Sequence, residues 1–343
     1  DMHNLYALLY NKAAYEAAKE ELGEDKALIW ARSAWAGSQK YPVHWGGDAG
    51  TDFGSLASSV KGCLNLSLSG IPFWSSDIGG FWFESSPELY IRWLEFGMFC
   101  SHARFHGFYS REPWDFGQQA VDVYRKYAGL RYRLIPYIYN QALAVREEDT
   151  LIHRPVFYDY PSDLNAAGLD TQYLFGKELM VIPVLNEDNS VRIYLPRGQW
   201  TDFYDDTVEE GGKWMEQVVP LDKIPVYVKE NAIIPMGPEM EYIGQKEDDQ
   251  WEIHCYPTEG KGRFCSYEHG FTVEMDASDD RVKIDCTRTD MNLTFVLHNI
   301  RPAGVQADGQ DIDFRMDHKR TYIHMGNRMQ DHDIHMVIEK GEQ

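Results

Sequence analysis

The stretch Leu66–Phe99, LSLSGIPFWSSDIGGFWFESSPELYIRWLEFGMF, decides how the chain is read. It opens with an apolar run, Leu66–Trp74, which predicts a buried strand. A glycine-rich turn follows at Asp77–Phe81. Ser85 and Glu88 then have the Ser-x-x-Glu spacing of a capping box, with Pro87 in the first turn, and so predict a helix to about Phe99. A strand, a long loop and a returning helix form the unit of a parallel sheet with helices outside, each connection crossing right-handedly.

The same alternation extends in both directions. Upstream, His3–Leu22 carries Leu5, Leu8, Leu9, Ala13, Ala17 and Leu22 at helical spacing and stops at Gly23. Ala27–Ala31 is a short apolar strand. Thr51 is placed to cap a helix bearing Phe53, Leu56, Val60 and Leu64. Downstream come a strand near Ala103–Phe105, helical sequence over Gln118–Glu148 and a fourth strand at Leu151–Phe157. About four parallel strands are half of the eight in a (β/α)8 barrel. Half a barrel leaves two open edges. The rival is a small open α/β sheet, and no glycine-rich phosphate loop supports a nucleotide-binding version of it.

From Gln172 the pattern changes to short β-rich segments: Leu179–Pro183, Val191–Leu195, Trp200–Tyr204, Val218–Leu221, Pro225–Val228 and Ala232–Pro235. This predicts an antiparallel sandwich. The acidic stretch Glu239–Asp249 reads as a junction. Beyond it, Trp251–Cys255, Arg263–Tyr267, Val282–Cys286, Leu293–His298 and Tyr322–His324 predict a second sandwich. The expected architecture is α/β plus all-β. An α/β part is expected over 1–160, with β-sandwiches over 161–238 and 239–343.

Composition narrows the partners. A formal net charge of -21 repels phosphates and argues against nucleic acid. No apolar run approaches the ~18 residues of a membrane span. Aromatic residues are plentiful, with 10 Trp, 21 Tyr and 16 Phe, which suits stacking on sugar C–H faces as well as an ordinary core. The five cysteines, Cys63, Cys100, Cys255, Cys265 and Cys286, are odd in number and lack CxxC spacing. They read as free thiols of a reducing compartment, so a cytoplasmic location is expected. The chain begins in helix-like sequence at Asp1, so the absence of a signal peptide says little.

The residues able to carry chemistry cluster between Arg32 and His106, just after the expected strands, where a barrel gathers them at one mouth. Arg32 follows the first strand, and Trp45 and Asp48 lie in the next loop. Trp74, Asp77 and Phe81 follow the second strand, with Arg104 and His106 at the third. Carboxylates, a guanidinium, an imidazole and aromatic walls suit glycoside chemistry. Each residue also has a structural reading. Asp48 and Asp77 fit turn or cap positions, Arg32 an ion pair, His106 a hydrogen-bonded core histidine, and Trp45 and Phe81 a core. Convergence at one mouth favours the chemical reading of all of them together. His318, His324, His332 and His335 lie in polar sequence without supporting cysteines and read as solvated, so no metal site is expected. The sequons at Asn65 and Asn292 fall in apparent strands and are set aside.

At this cluster the sequence resembles glycoside hydrolase family thirty-one, the α-glucosidase and α-xylosidase family. The likeness lies in Ala31-Arg32-Ser33-Ala34, in Gly37-Ser38-Gln39-Lys40-Tyr41-Pro42-Val43-His44-Trp45-Gly46-Gly47-Asp48, in Ser69–Phe81 and in Ser101-His102-Ala103-Arg104-Phe105-His106-Gly107. It continues through Gln172–Gly176 and Pro225–Val228 to about Gly237. The resemblance implies that 1–160 is the C-terminal half of a (β/α)8 TIM barrel, followed by a proximal β-sandwich over 161–238 and a distal β-sandwich over 239–343. It implies that Asp48 is the general acid/base, that Arg32, Trp45, Phe81 and His106 line the sugar subsite, and that Asp77 supports it. Trp74 joins this set as a substrate-side candidate. The family's nucleophile, an aspartate in a short motif after the fourth barrel strand, has no match before His3-Asn4-Leu5-Tyr6.

The expected activity is therefore retaining hydrolysis of α-linked glucosides or xylosides, with Asp48 as acid/base and the nucleophile absent from this chain. The chain alone is expected to be inactive. The alternatives are a carbohydrate-binding or structural fragment, or an α-glucan lyase on the same scaffold. No cofactor is required. An oligosaccharide is the expected partner, without nucleic acid or membrane, and a homo-oligomer is compatible with the sequence.

Overall fold

A computed structural model describes residues 2–41, 43–330 and 332–341. Helix α1 (Met2–Leu22) leads into β1 (Trp30–Ala31) and β2 (Val43–Trp45). Next come α2 (Phe53–Leu68), β3 (Phe73–Ser75), β4 (Asp77–Ile78), α3 (Pro87–Met98) and β5 (Arg104–Phe105), followed by α4 (Gln118–Arg133) and α5 (Ile135–Glu148). Strands β1, β2 and β3 pair in parallel in that order, and β4 pairs in parallel with β5. The described residues form an open array of parallel strands, with no closed barrel among them.

Several expected elements shift. Leu66–Leu68 completes α2, and the strand begins only at Phe73. The apolar run had merged a helix end with the strand after it. Trp45, read as loop, ends a strand, Val43–Trp45, that lies between β1 and β3. The helix caps move by one residue. Asp52, not Thr51, accepts the Ser55 backbone N–H at 2.7 Å, and Ser86, not Ser85, accepts that of Leu89 at 3.2 Å. Thr51 Oγ1 instead accepts from the Phe83 N–H across two loops, at 3.1 Å.

The expected fourth strand is present as β6 (His153–Pro155), but it pairs antiparallel with β7 (Tyr173–Phe175). It begins a six-stranded sheet with β8 (Leu179–Val181), β10 (Gln199–Asp202), β11 (Val208–Glu210) and β13 (Val226–Lys229). The sheet therefore starts before residue 160. The hairpin of β9 (Ser190–Leu195) and β12 (Lys213–Val218) lies beside it, and Val218–Leu221 forms no strand of its own. Strand alternation gives this sheet two buried faces. Tyr173, Phe175, Val181, Val226 and Val228 join the core shared with the helices, whereas Leu174, Met180, Ile182 and Tyr227 pack with the hairpin.

Helix α3 lies in the shared core, with every residue from Leu89 to Met98 buried. That includes Arg92, whose guanidinium donates to Glu95, to Asn189 and to the carbonyls of Val219 and Lys223. The buried cation is thereby satisfied, and it ties α3 to the loops at the ends of the β9–β12 hairpin.

β14 (Ile233–Met236) bridges onward. Ile234 faces the first core, while Ile233 faces a third, C-terminal one. Beyond it follow β15 (Gln250–Cys255), β16 (Gly260–Cys265), β17 (Thr272–Ala277), β18 (Arg281–Cys286), β19 (Asn292–His298), β20 (Pro302–Ala307), β21 (Gln310–Asp311), β22 (Arg315–Asp317), β23 (Arg320–His324) and β24 (Ile334–Lys340). They form a five-stranded sheet, β14-β15-β19-β23-β22, and a six-stranded sheet, β16-β17-β18-β24-β20-β21. Alternate side chains of both sheets share one core. The pairing is antiparallel except between β15 and β19, which run parallel. All five cysteines are free thiols, four of them buried.

Candidate active site

Asp48 sits in the loop after β2, between the glycine pair Gly46-Gly47 and α2. Its Oδ2 lies 3.3 Å from Nη1 of Arg32, which follows β1; the two side chains are 29% and 56% exposed. A long, half-solvated pair of this kind contributes about 0–1 kcal/mol. Arg32 can therefore exchange the carboxylate for another acceptor at little cost. Gly47 has φ +79°, and a Cβ there would come within 2.6 Å of Arg32 Cδ. Any side chain at this position would push Arg32 away from Asp48.

The three loops carrying the candidates are laced together. The Phe81 N–H donates to the Ala49 carbonyl at 2.9 Å, and the Phe108 N–H donates to the Phe81 carbonyl at 2.8 Å. Arg111 Nε donates to the Gly80 carbonyl at 2.8 Å. These bonds bring the loops of Asp48, Phe81 and His106 together. The Phe81 and His106 rings lie 5.5 Å apart and tilted. His106 is exposed and Phe81 half-buried.

Asp77 and Trp74 sit deeper. Asp77 is fully buried in β4 opposite Arg104 of β5, whose Nε donates to Oδ1 at 2.8 Å. Its Oδ2 is buried without a hydrogen-bond partner. Burial raises the Asp77 pKa; the bond to Arg104 and the charges of Arg104 and His106 oppose this, and Asp48 adds to it. Trp74 is 1% exposed. Its ring underlies the Asp48 loop, where a Cβ on Gly46 would meet it at 2.8 Å, and it leans on Phe96. The structure thus places Trp74 as a floor beneath the loop, not as an open stacking face.

Arg104, which the sequence places in this cluster at the third strand without assigning it a role, is a second residue that shapes the site. Its guanidinium lies 4.6 Å from the Trp30 ring centroid and 4.8 Å from that of Trp45, while Nε holds Asp77. This fixes Trp45 by cation–π contact on one side, and Trp30 meets Trp45 edge-on. His102 stands edge-on to Trp30 and is kept neutral by burial, which pushes its pKa down to about 4. The available signal was register: Arg104 sits directly across from Asp77, but only once the strands are placed. A cleft of about 1010 Å³ runs between α1 and β1, lined by Tyr6, Tyr10, Trp30, Arg32 and Trp45.

The C-terminal histidines are dispersed. His332 meets Asp308, His335 meets Asp285, and His324 meets Thr294. Exposed His318 lies beside Asp317. Among the described residues, Asp248, Glu268 and His269 come close enough to share an ion, but on loops apart from the Asp48 cluster. Asn65 lies on helix α2, not in a strand, and Asn292 begins β19.

Comparison with known proteins places these observations in a lineage. The profile of the glycosyl hydrolases family 31 TIM-barrel domain matches residues 1–141, and that of the glycosyl hydrolase family 31 C-terminal domain matches residues 149–234. An alpha-xylosidase of Emericella nidulans is 41% identical over 249 residues, covering 70% of this chain and 32% of its own length. Alpha-glucosidase 2 of Bacillus thermoamyloliquefaciens is 30% identical over 289 residues, covering 80% of this chain and 37% of its own. The cycloalternan-forming enzyme of Listeria monocytogenes, solved with a pentasaccharide substrate, superposes with a TM-score of 0.91 at 26% identity, covering 96% of this chain and 35% of that one. The chain thus spans about a third of the length of the curated relatives it matches. Two profiles of one family, in order along the chain, show that it belongs to glycosyl hydrolase family 31.

Proposed function

We propose that this chain supplies the acid/base half of a retaining α-glycosidase acting on α-linked glucosides or xylosides of oligosaccharides. The observation that carries the reading is the Asp48 loop. One carboxylate, paired only loosely with Arg32, is held beside Phe81 and His106 by backbone bonds between three loops. In the first step a carboxylate outside these 343 residues attacks the anomeric carbon, and Asp48 donates its proton to the leaving oxygen. In the second step Asp48 takes a proton from water, which attacks the glycosyl-enzyme bond and releases the sugar with retained configuration. The two carboxyl groups of such a pair stand ~5 Å apart. Arg32 and His106 hold sugar hydroxyls, and Phe81 and Trp45 wall the ring. Asp77 and Arg104 hold Trp45 in place, and Trp74 supports the loop from below. The reading needs no metal or organic cofactor. It carries with it a complete (β/α)8 barrel in the whole protein, followed by proximal and distal sandwiches.

The chain alone, lacking a matched nucleophile, acts as a binding fragment. The test has two arms. The isolated chain, assayed on 4-nitrophenyl α-xyloside and α-glucoside, is expected to show no turnover above background. In the full-length context, Asp48→Ala is expected to lower kcat/KM on substrates with poor leaving groups by about 10²–10⁴. It should cost much less on 4-nitrophenyl glycosides, whose departure needs little protonation. Equal losses on both substrates, or none, would remove Asp48 from the acid/base role.

A further inference from the structure

A second set of sugar-competent side chains occupies one face of the five-stranded C-terminal sheet. The alternation of the strands sorts them there. In β15, Trp251, Ile253 and Cys255 enter the core, so Gln250, Glu252 and His254 share the other face. In β19, Leu293, Phe295 and Leu297 enter the core. Asn292 and Thr294 lie opposite, in register with Gln250 and Glu252. In β23, Ile323 is in the core, and Tyr322 and His324 are on the polar face. His324 Nδ1 lies 3.0 Å from Thr294 Oγ1. On the edge strand β22, Arg315 is in register with Tyr322, its guanidinium 4.6 Å from the ring centroid. Arg133 at the end of α4 and the segment 236–239 wall this face into a cleft of about 390 Å³.

Charge decides which ligand class fits. Among the described residues, Arg133 pairs with Glu252, and Arg320 pairs with Asp206 behind the cleft. Arg315 and Glu239 also line it. Two of the three guanidinia are thus already paired and Glu239 adds a further negative charge, so the cleft carries little surplus for an anion. What it does offer is a mixture of donors and acceptors. Guanidinium N–H and amide NH₂ groups donate, while Gln250 and Thr294 oxygens accept. Asn292 Oδ1 is buried with no hydrogen-bond partner. A hydroxyl group both donates and accepts, and a ligand dense in hydroxyls uses such a mixture fully. An unsatisfied buried acceptor gains from a donor that reaches it.

We propose that this sheet face is a second carbohydrate-binding site, taking neutral sugar residues of an oligosaccharide, separate from the site at Asp48. The choice of a sugar over another neutral polyol rests on the glycosidase reading above. The site would hold an oligosaccharide by a part remote from the bond being cleaved.

Hydrogen–deuterium exchange of this chain with maltotriose, with glycerol and with inorganic phosphate tests it. Millimolar maltotriose is expected to slow exchange in peptides covering 250–254, 292–298 and 315–324. Arg315→Ala combined with Gln250→Ala, both exposed positions, should weaken that protection at least tenfold in maltotriose concentration while leaving peptides over 30–48 unchanged. Protection confined to 30–48, protection unchanged in the double variant, or equal protection by phosphate or glycerol overturns the proposal. Protection at the sheet face without any at 30–48 supports the proposal and counts against the Asp48 site as a sugar site, which separates the two readings.

Discussion

At the residue scale, the two aspartates of the candidate site have opposite physics. Asp48 is partly solvated, and its ion pair is long. Asp77 is fully buried with one cation to balance it. Replacing Arg104 with Leu strands a buried carboxylate, a change of the kind that costs about 3–5 kcal/mol. Replacing Asp48 with Asn removes only a surface pair and should change stability by no more than about 0.5 kcal/mol. Urea unfolding of the two variants measures both. A large loss in Asp48→Asn would mean that the aspartate is structural, the role a turn or cap residue would have. Composition and local spacing left that choice open. The exposure of Asp48 and its weak pairing favour a chemical role over a structural one.

At the element scale, the helices were legible and their first residues less so. Leu56, Val60 and Leu64 recur at helical spacing, and all three are buried. Both caps nevertheless lie one position later than the spacing suggested. Ser85 and Ser86 are adjacent serines, and Pro87 fixes the choice. Proline is favoured at the first helical position, which makes Ser86 the residue before the helix. Ser86→Ala and Asp52→Ala should each cost about 1 kcal/mol, and Ser85→Ala should cost less than about 0.5 kcal/mol. Thermal or urea unfolding of the three variants checks the assignment, and equal losses at Ser85 and Ser86 would contradict it. The strands were harder to read. Those of the parallel array are two or three residues long, too short for alternation to show, which is why the strand ending at Trp45 was not seen.

At the scale of the molecule, a buried polar chain joins the three parts. His298 Nδ1 lies 2.7 Å from Asp206 Oδ1, in the turn after β10, and His298 Nε2 lies 2.9 Å from His254 Nδ1. His254 in turn reaches Glu252, which pairs with Arg133 at the end of α4. Tyr256 stacks on His298, and Arg320 pairs with Asp206. Burial pushes the His298 pKa down to about 4, against the pull of Asp206, and lowers that of His254 as well. The unfolded chain, with histidine near ~6.5, then binds more protons than the folded one between about pH 6.5 and 4. The stability this chain contributes is complete above that window and is lost as the pH falls through it. For His298 alone the loss is of the order of 3 kcal/mol. Unfolding followed from pH 7 to pH 4.5 should show the decline. His298→Gln should flatten it while lowering stability at pH 7, and an unchanged slope would show that the pair titrates normally.

The sequence alone determined what short-range pattern and residue chemistry can determine. That includes the switch from helix–strand alternation to β-rich segments, the helices with their apolar faces, the free cysteines and the ordered motifs of the family. It also named Arg32, Asp48 and His106, because those motifs are local in the chain. Only the tertiary structure decided which strands pair. It moved His153–Pro155 from the parallel array to an antiparallel sheet, paired β15 with β19 in parallel, and set Arg104 between two tryptophans and Asp77. Periodicity records which side of a strand is apolar. It holds no record of the neighbour across the hydrogen bonds, because that partner lies many residues away and is selected by packing.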